Sequence, residues 1–151
     1  MIHSSSVKVV SITRPAAIID NAAVTTAFVD TLGFDHALIF VDLGATDIAL
    51  TVLKVQESDA SGSGYADVTG LVFGTSTDIA GAATTLPSAT DDNKFYLFDI
   101  NLQGRKRYLD LNVTVGDGTV GGFLTAYAVL SRAEQSPTTA AERGGAVVLR
   151  A

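Results

Sequence analysis

The hydrophobic pattern along this chain has a period of two. In "YLDLNVTV", Leu109, Leu111, Val113 and Val115 alternate with Tyr108, Asp110, Asn112 and Thr114. That spacing predicts a strand with one face in a core and one in water. "KFYLFDINL" alternates as well, with Tyr96, Phe98, Ile100 and Leu102 set against Phe95, Leu97, Asp99 and Asn101. "DHALIFVDLGATDIALTVLKVQESD" predicts two strands around Gly44-Ala45-Thr46-Asp47, with His36 just before the first. "SVKVVSIT" and "TTAFVDT" predict strands near the start, and "YADVTG" and "LVFG" two weaker ones. "GGFLTAYAVLSRA" is apolar on both faces, which places it centrally in a sheet or at an interface.

Turn residues separate these runs. "GDG" at 116–118 ends the Tyr108–Val115 strand, where glycine tolerates positive φ, and predicts a hairpin to the run that follows. "DASGSG" at 59–64 reads as a flexible loop tip. No long apolar stripe at helical spacing is present. About eight short strands with regular turn signals predict an all-β fold, an antiparallel β-sandwich. The sandwich fits this pattern best, with a jelly roll as one form it can take, and an open barrel is the alternative. Residues 1–12 read as an N-terminal arm or a first strand, 13–133 as the sandwich, and 134–151 as a polar arm marked by Pro and Gly. That arm ends in the apolar tip Val147, Val148 and Leu149 with Arg150, a composition that fits equally an arm docking on a neighbour and a frayed terminus.

Composition narrows the classes. A chain of 151 residues that is 47% apolar has the size and makeup of one globular domain with a real core. It has no cysteine, hence no disulfide framework and no thiolate chemistry. No signal peptide is read at the start, and no apolar run reaches the roughly 18 residues that would span a bilayer. The expectation is a protein made in the cytoplasm with no membrane partner. A net charge of −6 argues against a general polyanion binder, because such affinity comes from neutralised phosphates.

The candidate chemistry is sparse. His3 and His36 have no partner at zinc-ligand spacing, and no G-x-S-x-G elbow accompanies the serines. Nothing local supports a Ser-His-Asp triad. Glu57, Asp59, Asp91, Asp92 and Asp117 lie in loops that could converge on calcium, but they read as solvated carboxylates. No metal, cofactor or catalytic residue is expected.

Arg105, Lys106 and Arg107 form the one basic cluster. Extending the strand parity backward from Leu109 puts Arg105 and Arg107 on the inward side. A charge cannot go deep unpaired, so the triplet is expected at the rim, forked onto carboxylates. With only Tyr108 beside it for stacking, it is a poor nucleic-acid platform.

"LKVQESDASGSGYADVTG", "DDNKFYLFDI", "GRKRYLDLNVTV" and "AVLSRA" together resemble the capsid cement or decoration proteins of tailed bacteriophages, over about residues 25–133. The resemblance implies a virion protein, made in the host cytoplasm and bound to the outside of the head. Its partner would be the major capsid protein, with trimers at three-fold or quasi-three-fold positions tying capsomers together. It further implies a structured turn at Gln56, Glu57, Ser58 and Asp59, and rim or interface charges at Arg105, Lys106 and Arg107. A carbohydrate- or receptor-binding module of a tail or fibre is the second reading. The absence of Trp and the presence of only four Tyr weigh against a sugar platform.

Overall fold

A computed structural model describes residues 6–149. Eight strands are β1 (Lys8–Thr13), β2 (Val29–Asp30), β3 (Phe34–Thr46), β4 (Leu50–Ser58), β5 (Ala66–Val72), β6 (Lys94–Asn101), β7 (Tyr108–Val115) and β8 (Gly122–Ala133). They form two four-stranded antiparallel sheets, ordered β1-β8-β3-β6 and β2-β7-β4-β5. First strand pairs with last, second with seventh, third with sixth and fourth with fifth. The chain is thus one long hairpin folded over on itself, which is the jelly-roll arrangement of a β-sandwich.

The period-two pattern supplies the core. Ala37, Ile39, Val41 and Leu43 of β3 and Leu124, Ala126, Ala128 and Leu130 of β8 face inward. They share one core cluster with Leu53 and Val55 of β4 and with Leu109, Leu111, Val113 and Val115 of β7.

Several sequence expectations need correction. β7 and β8 do not form a hairpin, because residues 116–121 carry the chain from one sheet to the other. The Asp47 carboxylate holds that crossing. Its Oδ2 accepts from the Thr119 and Val120 amides at 2.9 and 2.8 Å, and its Oδ1 from the Gly121 amide at 2.8 Å. Gly116 and Gly118 are not in the left-handed region; Gly121 is, at φ 95°. Close approach explains the first two, since a Cβ at 116 would stand 2.8 Å from the Ala49 carbonyl oxygen. The early strand "TTAFVDT" shrinks to Val29–Asp30, and "YADVTG" and "LVFG" merge into β5 through Gly70. His36 lies within β3 rather than before it. Lys8–Thr13 form β1, the strand that "SVKVVSIT" predicted.

Candidate interaction face

The outward side chains of the β1-β8-β3-β6 sheet fall into register across the strands. Ser11, Tyr127, Phe40 and Leu97 form one row, and Val9, Val129, Leu38 and Asp99 the next. Thr125, Asp42 and Phe95 form a third. The Phe40 and Tyr127 rings stack at 4.9 Å with planes 11° apart. Around this half-buried centre, Phe95 is 61% exposed, Leu97 51%, Phe123 43% and Val9 42%. These four leave roughly 400 Å² of apolar surface in water, a size at which a patch on a soluble protein is often functional.

The other sheet is built differently. Its outward positions on β7 are Tyr108, Asp110, Asn112 and Thr114, and on β4 they include Lys54 and Gln56. Asp67 of β5 accepts from Gln56 Nε2 at 2.7 Å and lies 2.8 Å from Lys54 Nζ. Those two donors hold its carboxyl below the usual range. Thr26 donates to Asp110 at 3.1 Å, yet burial pushes the Asp110 carboxyl upward. Both sheets contribute their inner faces to the same core, so folding does not require the outer faces to differ. The aromatic outer face needs another reason.

One end of that face is polar. His36 Nε2 lies 2.5 Å from Asp99 Oδ1, and His36 Nδ1 lies 3.2 Å from Ser131 Oγ. Three strands thereby align a Ser-His-Asp series that sequence reasoning missed. The series ties the His36 ring to β8 through Ser131 and to β6 through Asp99 at the edge of the apolar patch. A shallow cleft of about 360 Å³ lies along residues 13–25, and none of the three lines it. His3 lies outside the described residues.

The basic triplet and the Gln56–Asp59 turn meet at one end of the sandwich. β7 begins only at Tyr108, and Gly104, at φ 76°, turns the chain before it, so the backward parity fails. Arg105 and Arg107 are exposed rather than inward. Arg107 forks onto Asp30 of β2 through Nε at 2.8 Å and Nη2 at 2.7 Å. That hydrogen-bonded guanidinium holds the Asp30 carboxyl below its usual range. Its carbon also sits 4.9 Å over the Tyr108 ring. Arg105 lies 3.5 Å from Glu57, which also accepts the Lys106 amide at 3.2 Å, and Lys106 Nζ lies 3.8 Å from Asp59. Ser58 is buried, donates to the Ser63 carbonyl at 2.6 Å and accepts the Ala60 amide. Gln56 instead turns to Asp67. Each cation of the triplet therefore has a carboxylate of this chain beside it, an arrangement that clamps strand ends.

The C-terminal segment is only partly an arm. Glu142 accepts the Thr138 and Thr139 amides at 2.7 and 2.9 Å, which lower its carboxyl to about 2. Arg143 donates to the Pro137 carbonyl, and its own carbonyl accepts the Val9 amide at 2.9 Å. Gly144, at φ 78°, lies so close to Val9 that a Cβ would overlap the Val9 carbonyl oxygen. Arg143 and Gly144 are thus latched onto β1, while the Glu134 amide donates to the Gly33 carbonyl. Beyond them Val147 is 76% and Leu149 92% exposed, with Val148 also in solvent. Arg150 lies outside the described residues.

The loop carboxylates have local partners. Asp91 accepts from Ser88 and Lys94, and Asp92 accepts the Thr46 amide. Among the described residues no group of three or more His, Asp or Glu side chains is placed to hold a metal. Among the described residues no helix is long and apolar enough to cross a membrane. Comparison with protein-family models, curated proteins and solved structures finds no match to this chain. The face, the clamp and the tail carry the functional argument by themselves.

Proposed function

We propose that this chain is a structural docking protein that binds other protein subunits through the outer face of its β1-β8-β3-β6 sheet. The observation that carries this reading is the contrast between the two outer faces, aromatic and aliphatic on one sheet, mostly polar and internally paired on the other, where Phe28 packs edge-on against Tyr108. The motif resemblance then names the setting: a cement or decoration protein on the outside of a phage head, with the major capsid protein as partner. Trimers at three-fold or quasi-three-fold positions would let each copy touch several shell subunits. Multivalent attachment of this kind raises avidity without stronger single contacts. The clamp at Arg105–Arg107 supports a rigid module that holds its shape under load.

The sugar-binding reading has less support. The most exposed rings, Phe95, Phe28 and Phe123, lack the polar tip that lets Tyr or Trp both stack on and hydrogen-bond a ligand. The deciding experiment is the copy ratio of this chain to the major shell protein in purified particles of the phage that encodes it. Comparable copy numbers, spread over the head, are expected. A few copies per particle would favour the tail or fibre module, and complete absence would overturn the virion assignment.

A further inference from the structure

The two sheets have four edge strands, and three of them are protected. Exposed edges recruit foreign strands unless they are short, bulged or covered. β2 has two residues. β5 contains Gly70, and its pairing with β4 shifts register between Lys54 and Gln56. β1 is bulged near Ser11–Thr13 and carries the 143–145 latch on its free side, where Val9 donates to Arg143.

β6 is not short, bulged or covered by a described strand, and its two charges are engaged by neighbours, Lys94 by Asp91 and Asp99 by His36. It runs eight residues, pairs with β3 in unbroken register, contains no Pro or Gly, and no described strand pairs with its outer edge. Phe95 and Leu97 on its outward side are exposed, and Tyr96, Phe98 and Ile100 lie on the other side. A strand added here would need apolar side chains on both faces.

One segment of the chain has that character and no cover of its own. Ala146, Val147, Val148 and Leu149 are consecutive, apolar and exposed, with two β-branched residues at the centre. They cannot reach the open edge of their own domain. The latch holds Gly144 against the free side of β1, and the far side of β6 lies five strand spacings away, about 24 Å. Four extended residues span at most about 14 Å. A neighbouring copy removes that limit.

We infer that Ala146–Leu149 of one copy adds as a strand to the β6 edge of a second copy. The contact is heterologous, since tip and edge are different surfaces, so repetition closes a ring or grows a chain. Three such contacts would close a trimer. The inference stands on the edge and the tip alone and does not depend on what the sheet face binds.

The test is hydrogen exchange and light scattering on the full chain across a concentration range, beside Val148→Asp. Val148 is exposed, so the variant should keep the fold, which circular dichroism checks. Expected are association with rising concentration and at least a tenfold slowing of exchange at β6 amides, both lost in Val148→Asp. A chain that stays monomeric overturns the proposal. So does association that survives Val148→Asp, which would instead indicate pairing of two β6 edges or of two sheet faces. Neither result bears on shell attachment, which the copy ratio tests separately.

Discussion

Replacing Phe95 with Thr tests the docking face most directly. A Phe side chain presents about 200 Å². At 61% exposure, about 120 Å² of Phe95 remains in water and is available to a partner. At about 25 cal/mol per Å², burying it is worth about 3 kcal/mol, or roughly 150-fold in Kd. The buried remainder, about 80 Å², bounds the cost to the fold at about 2 kcal/mol, and Thr keeps the strand preference. Asn112→Ala on the polar sheet is the matched control. The assay is titration of fluorescent protein onto heads that lack it, with urea unfolding run in parallel. Phe95→Thr should lose most of its attachment while remaining folded, and Asn112→Ala should attach normally. A loss under threefold for Phe95→Thr, or a larger loss for Asn112→Ala, would refute the assignment of the face.

Three further outcomes follow from the packing and the local electrostatics. Leu111→Ala empties a fully buried core position and should lower unfolding free energy by about 2–5 kcal/mol, read from urea midpoints at constant m. Asp110 is an acid whose carboxyl is raised by burial, so between its unfolded and folded pKa the native state binds more protons and stability falls as pH rises. Asp110→Asn should therefore be more stable than the parent at neutral pH, with the gain vanishing on acidification toward the ordinary carboxylate range; thermal melts across that range decide, and a gain that grows at low pH refutes the sign. Gly144→Ala meets both the left-handed φ and the Val9 carbonyl, so it should release the tail and speed tryptic cleavage after Arg143 with little change in melting temperature.

The sequence made local periodicity legible and left long-range partners hidden. Tyr108–Val115 and Lys94–Asn101 stand as strands where alternation put them, because one-sided burial needs only neighbours two residues apart. The double apolar face of 121–133 pointed to a central or interface strand; β8 is central, and its outward side joins the aromatic face. The false hairpin arose because Asp47, far upstream, directs residues 116–121 across the sandwich. The Ser131–His36–Asp99 alignment depends on the register of three strands, which no local signal carries. The basic triplet was legible as a rim feature, but its partners Asp30, Glu57 and Asp59 come from two other strand ends. A signal for the tail latch was present in Gly144-Gly145, without any indication that Val9 lay beneath.

The nested pairing also sets the order in which this molecule can come into being. Lys8 lies opposite Leu130, so β1 has no sheet neighbour until β8, more than a hundred residues later, has been made. The innermost pair, β4 with β5, can zip first, and closure proceeds outward to the two ends. Folding dominated by such distant pairings is slow, on the order of milliseconds to seconds. The latch of Arg143 and Gly144, which closes over β1 last, is thus a seal on a completed fold.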